Sequence, residues 1–138
     1  MIRIVLDTNL LVSIALPGSR LQPLLETWRG RKCRLLVSSE IFAEYLRVLT
    51  YPKFRLSSED VKRFLEQDVR PYMELVAVHT AVHVIQADPS DNKFLACALD
   101  GHADVVVSGD HHLLDLKQFR GIHIVTARQF LNPPFVRA

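Results

Sequence analysis

Cysteine is scarce in this chain: Cys33 and Cys97 are the only two among 138 residues. Both sit in apolar surroundings, which argues against a disulfide framework or a metal knuckle and reads them as small core residues. Five glycines and seven prolines exclude collagen-like or low-complexity character. No internal repeat, linker or composition shift is present. Neither sign of charge dominates: 17 Lys and Arg against 15 Asp and Glu leave +2, which permits a nucleic-acid partner without requiring one. The longest stretch free of Asp, Glu, Lys and Arg, Leu75 to Ala87, has 13 residues and two His. A membrane-spanning helix needs about 20 apolar residues, so none is expected. Asp7 interrupts the apolar run that a signal peptide would need. The expected location is cytoplasmic.

What remains is ordinary globular composition, with 49% hydrophobic and 23% charged residues. The length suits a single domain over residues 1–138. Size scaling predicts that folding hides roughly two-thirds of the chain's surface, enough for a substantial core.

Segments of two periods alternate. Ile2 to Leu6 is a β-rich run that ends in Asp7-Thr8-Asn9, three good helix starters. An apolar helix, Leu10 to Leu16, follows and stops at Pro17-Gly18. Leu21 to Arg29 predicts an amphipathic helix and Cys33 to Val37 a strand. Ser38-Ser39 caps a helix whose apolar face can use Ile41, Leu46, Val48 and Leu49. Ser57-Ser58-Glu59-Asp60 is a capping box, opening a helix closed by Pro71. Glu74 to Val78 predicts a strand, and Val82 to Ala87 is ambiguous. Asp88-Pro89-Ser90-Asp91 starts a helix that reaches about Leu99. Asp104 to Ser108 and Ile122 to Val125 predict strands, separated by a short segment, His111 to Leu116. Thr126 caps a last turn, and Asn132-Pro133-Pro134 ends the fold. Near-continuous Val/Ile/Leu strands alternating with helices imply a parallel sheet covered on both faces. Ligands gather at the C-terminal strand ends of such sheets.

Two carboxylates fall there. Asp7 follows the first strand, and Asp110 follows Val105-Val106-Val107. Each alone reads as a cap or turn residue. Glu44 lies mid-helix, one turn in from Ser39, and Glu40, four residues earlier on the same face, reads as solvated. Asp91 lies in a first helical turn, where the helix dipole alone would favour it by about 0.3–1 kcal/mol. Together the four acids change the argument. Carboxylates about 4 Å apart repel by roughly 4 kcal/mol per pair at an effective dielectric of 20. A cluster must trap protons, recruit Lys or Arg, or bind a divalent metal. No Lys or Arg is placed by sequence beside Asp7 or Asp110. Oxygen-only ligands suit Mg²⁺ or Mn²⁺ rather than zinc. One such ion acidifies an attacking water and a second stabilises a leaving oxygen, the chemistry of phosphodiester hydrolysis.

These residues resemble a family. Ile4-Val5-Leu6-Asp7-Thr8-Asn9-Leu10-Leu11-Val12-Ser13 is similar to the opening motif of PIN-domain ribonucleases. Ser39-Glu40-Ile41-Phe42-Ala43-Glu44-Tyr45 is similar to the second motif. Asp88-Pro89-Ser90-Asp91-Asn92-Lys93-Phe94-Leu95-Ala96-Cys97-Ala98 is similar to the third, and Val107-Ser108-Gly109-Asp110-His111-His112-Leu113-Leu114 to the fourth. The motifs stand in family order from Ile4 to Leu114, and the resemblance extends over residues 2 to 131. The best match is with the VapC-type toxins of toxin–antitoxin systems. The resemblance implies a three-layer α/β/α sandwich with a central parallel sheet and Mg²⁺- or Mn²⁺-dependent cleavage of RNA. It carries Asp7, Glu44, Asp91 and Asp110 over as the catalytic, metal-binding acids, with Asn9 and Ser108 in support. Ser108 stands where the family more often has Thr. A small antitoxin and a second copy of the chain are the partners it implies. Roles for Asp88 and Asp115 stay open.

His111 and His112 adjoin Asp110, but neighbouring residues on a helix point apart, which disfavours a two-His site. His79 and His83 read as surface residues. Arg29, Arg31, Lys32 and Arg34 surround Gly30 and read as a solvated turn, with RNA phosphate contact the alternative. Trp28, Tyr45, Tyr51 and Phe54 either stack on bases or pack a core or interface. Two other functions are compatible with the chain. A haloacid-dehalogenase-type phosphatase also places an Asp after its first strand, but wants a second Asp where Asn9 stands. A non-catalytic module would bind RNA or a partner through the same fold.

Overall fold

The computed structural model describes residues 1–132. Pro133 and Pro134, expected to close the fold, lie outside the described residues. Strand β1 (Ile2–Leu6) has Ile4, Val5 and Leu6 wholly buried in succession, so both of its faces are covered. The same holds for Leu35, Leu36 and Val37 in β2 (Cys33–Ser38) and for β4 (Val105–Val107). These apolar runs set the middle of a six-stranded sheet ordered β3-β2-β1-β4-β6-β5. β3 spans Met73–Val76 and β6 Ile122–Val125, and all pairings among β1, β2, β3, β4 and β6 are parallel.

The parallel-sheet expectation needs one amendment. β5 (Gln118–Phe119) adds an antiparallel edge against β6, made by a tight reversal in which Gly121 takes a positive φ of 83°. Two residues are too few to leave a period in the sequence. The expected strand Glu74 to Val78 begins one residue earlier and ends at Val76. The ambiguous stretch to Ala87 has no regular structure. Side chains of the following helix hold that stretch instead. Asn92 accepts from Ile85 N–H and donates to Ile85 C=O, both at 2.9 Å, doing for one residue what a neighbouring strand would do.

Helices flank the sheet as the outer layers of an α/β/α sandwich. α1 (Thr8–Ala15) is capped by Asp7, and α3 (Ser39–Leu49) by Ser38. α2 is Gln22–Arg29, and α4 (Ser58–Phe64) opens on the expected capping box of Ser57 and Asp60. α5 (Asn92–Asp100) starts one residue after Asp91, because Pro89–Asp91 forms a tighter single turn first. α5 packs across β1, β2 and β4. α6 (His111–Leu114) and α7 (Ala127–Leu131) are single short turns capped by Asp110 and Thr126. Trp28 and Tyr45 belong to the core; their polar ends donate to the carbonyls of Asp68 at 2.7 Å and Leu6 at 2.5 Å. Cys33 and Cys97 are buried and unpaired with each other. Among the described residues, no helix is long and apolar enough to cross a membrane.

The chain builds outward from β1 through β2 to β3, then returns to place β4 on the other side of β1. The direction of winding reverses between β1 and β4. That is where an open parallel sheet leaves a crevice at its C-terminal edge.

Candidate active site

Asp7 stands at the end of β1, directly in this crevice. One carboxylate oxygen accepts from Leu10 N–H at 3.0 Å and caps α1. The other accepts from Gly109 N–H at 3.0 Å and from the Ser108 hydroxyl. Capping and clustering are therefore not alternatives: each oxygen does one. Burial pushes the Asp7 carboxyl above its ordinary range, opposed by those hydrogen bonds and assisted by the charge of Asp110. The buried Tyr45 hydroxyl, bonded to Leu6 C=O, fixes the strand end on which Asp7 is mounted.

Asp110 follows β4. Its side chain accepts from His112 N–H at 2.9 Å, and its own N–H donates to Ser108 Oγ at 2.9 Å. Ser108 thus links the loop of Asp110 to the carboxylate of Asp7. Glu44 projects from α3 and accepts from the Thr8 hydroxyl. Its other oxygen lies 2.7 Å from Lys93 Nζ, with Arg47 at 3.5 Å. Asp91 enters from the turn ahead of α5. Asp7, Glu44, Asp91 and Asp110 line one cavity of about 190 Å³, together with Asn9 and Asp88. Ser108 is wholly buried beneath it.

Asp91 is the least settled of these groups. It is 9% exposed, and its Oδ2 has no hydrogen-bond partner among the described residues. Burial and the neighbouring carboxyls of Asp110 and Asp88 raise its pKa to about 7. For Asp110, burial pushes upward, but His112 N–H, the neighbouring Asp91 carboxyl and the two neighbouring imidazoles bring the net shift down. Crowded carboxyls and an orphaned buried oxygen both mark a place where positive charge is wanted. The donors are all oxygen, which fits a hard divalent ion such as Mg²⁺ or Mn²⁺.

Other candidates fall elsewhere. Asp115 is exposed at the end of α6 and away from the cavity. Glu40 is exposed beside a neighbouring cavity. The rings of His111 and His112 do not diverge as expected. α6 is only four residues long, their centroids lie 4.1 Å apart, and with Asp110 they offer ligand atoms within 4.8 Å of one another. Of these three only Asp110 lines the acidic cavity. The basic turn around Gly30 precedes β2, at the opposite end of the sheet, where Arg29 lies 3.7 Å from both Glu26 and Asp68.

Sequence reasoning missed two polar partners. Thr8 reads as a helix starter, and nothing local announces that its hydroxyl reaches Glu44. Lys93 is 7% exposed at its side chain and reaches the same carboxylate. Its position two residues after Asp91 was a signal of proximity, but its target comes from another helix.

A model of a known family, described as PIN domain, matches residues 3–112. That span contains Asp7, Asn9, Glu44, Asp91, Ser108 and Asp110. No curated protein matches the chain significantly.

Proposed function

The chain belongs to the PIN-domain family, whose general activity is that of a nuclease, and on that premise we propose that it is a metal-dependent endoribonuclease. Its substrate is RNA, and the bond cleaved is the phosphodiester. Asp7, Glu44, Asp91 and Asp110 form the acidic set that would receive the ion, Mg²⁺ or Mn²⁺. Asn9 and Ser108 support them.

The observation that carries this reading is the convergence of four acids from four elements on one cavity, with the buried Asp91 Oδ2 unpartnered. When bound, a divalent ion would acidify an attacking water and screen phosphate charge. The chain's own contribution is placement. Leu10 N–H, Gly109 N–H and Ser108 hold both oxygens of Asp7, and His112 N–H holds Asp110. The rigid strand ends keep these carboxylates aimed into a pocket open to a nucleic-acid backbone.

We further propose that residues 1–138 form one domain acting in the cytoplasm as the toxin of a toxin–antitoxin pair. A small antitoxin protein and a second copy of the chain are its partners. The four motifs in their order support this assignment. Family membership also sets aside the phosphatase alternative, in keeping with Asn9 at the position where that chemistry wants an acid.

Asp7→Asn is the direct test. Asparagine caps helices as well as aspartate does, so Leu10 N–H keeps its acceptor, while the new amide NH2 meets Gly109 N–H, and circular dichroism checks that the variant folds. RNA cleavage with Mg²⁺ or Mn²⁺ should fall by roughly 10²–10³-fold, the scale of losing one preorganised electrostatic group. Equal cleavage by parent and variant would remove Asp7 from the mechanism. No cleavage of RNA by the parent with either ion would reject the endoribonuclease reading.

A further inference from the structure

Glu44 and Asp91 face the same cavity in opposite condition. Both oxygens of Glu44 are engaged, one of them by cations: Thr8 donates to one, and Lys93 Nζ lies 2.7 Å from the other with the exposed Arg47 at 3.5 Å, whereas Asp7 has only neutral donors. The Lys93 side chain is only 7% exposed, and Nζ donates again to Ser90 C=O at 2.9 Å. Nζ also lies over the Phe94 ring, 5.4 Å from its centroid. Lys93 does not open on the acidic cavity. It lines the neighbouring cavity, of about 340 Å³, and reaches Glu44 from behind. The ammonium is thus built into the wall between the two cavities. The charge of Lys93 also reaches Asp91, but no cation forms an ion pair with it, and its Oδ2 is buried without a hydrogen-bond partner among the described residues.

We propose that Lys93 is an internal counter-cation that pins and neutralises Glu44, so that the pocket takes one divalent ion on the Asp91 side rather than two. This rests on the metal-dependent reading above and says how the four acids divide the work. Asp91, with Asp7 and Asp110, would hold the ion directly, and Glu44, tied to Lys93, would contribute to the pocket without ligating the ion. A second ion ligated to Glu44 would meet the ammonium across one carboxylate, +2 against +1, in a partly buried wall where screening is weak. Lys93 is therefore a positioning residue: it touches Glu44, not the scissile bond.

Mn²⁺ binding, followed by calorimetry and by the EPR signal of the free ion, tests this on the full chain without RNA. The parent should bind one Mn²⁺ per chain. Lys93→Gln should release Glu44 and add a second, weaker Mn²⁺, while Lys93→Arg keeps the stoichiometry at one. Circular dichroism checks that each variant folds. If Lys93→Gln does not fold, Glu44→Gln decides the matter. It should keep the single site with a loss of affinity no greater than the roughly 10–100-fold typical of an outer partner, whereas Asp91→Asn abolishes measurable binding. Two ions in the parent, an unchanged single site in a folded Lys93→Gln, or abolished binding in Glu44→Gln would overturn the proposal and leave the metal-dependent reading standing. No Mn²⁺ binding by the parent would overturn both.

Discussion

The two ends of α5 carry aspartates in opposite states. Asp91, just before its first residue, sits where the helix dipole favours negative charge, yet its pKa is raised to about 7 by burial, Asp110 and Asp88. Asp100, its last residue, sits where the dipole disfavours negative charge, yet its pKa is lowered to about 2. Three donors explain the second case: His79 N–H at 2.5 Å, Thr80 N–H at 2.8 Å and the Thr80 hydroxyl at 2.7 Å. The dipole is worth under about 1 kcal/mol at such sites, and local hydrogen bonds and neighbouring charge outweigh it at both ends. Asp100 is a finished structural contact that bolts the irregular segment after β3 onto the helix. Asp91 is an unfinished one, and the missing partner is what a bound cation would supply.

Replacing the unfinished group should give the largest effect. Asp91→Asn is expected to cut nuclease activity by roughly 10²–10³-fold or more. The metal-free protein should meanwhile gain about 1 kcal/mol, because an unpaired buried polar group costs roughly 1–3 kcal/mol and the new amide can donate to Asp110. Urea unfolding in EDTA measures the gain. A loss of stability there would show that Asp91 is a structural contact after all, and the contrast with Asp100 would fail.

The opposite end of the helix should respond the other way. Gly101 follows Asp100, and a Cβ there would meet Cys97 C=O and Val76 Cγ2, each at 2.9 Å, and Leu36 Cδ1 at 3.1 Å. Gly101→Ala should cost about 1–3 kcal/mol, the usual range for overpacking a core. Activity measured well below its melting temperature should be retained. A stability unchanged by the added methyl would mean that this end of α5 is loosely packed.

The smallest effect concerns pH. The folded-state pKa of Asp100 lies below its unfolded value, so its stabilisation is complete above about pH 4. It is lost as pH falls from there through about 2. Amide exchange at His79 and Thr80, referenced to the β1 amides, should show selective loss of protection over that window. Asp100→Asn should show much weaker protection at pH 5 and little further change. Protection at these amides that is indifferent both to pH and to the substitution would refute the contact.

Legibility followed the range of the interactions. β1 and β4 were readable because Ile4-Val5-Leu6 and Val105-Val106-Val107 are apolar runs that a doubly covered sheet demands, and β6 because Ile122 to Val125 is apolar apart from the exposed His123. The Ser57–Asp60 box was readable because both partners lie within one turn. β5 was not, since Gln118-Phe119 pairs only because the reversal at Gly121 brings it beside β6. The segment after β3 was not, since its order comes from Asn92 and Asp100 across the fold. For the site, the four acids could be named from motif order, and their shared edge from the strands before Asp7 and Asp110. The inequality among them could not.

Taken alone, the order of residues determined which groups carry negative charge, that a parallel sheet is covered on both faces and which strand ends carry Asp7 and Asp110, because caps, apolar runs and strand-end positions are local facts. Packing decided that Lys93 contacts Glu44 while Asp91 Oδ2 is left without a donor among the described residues. Those partners are brought together by separate helices and a turn, and a side chain's electrostatic environment is a sum over neighbours in space.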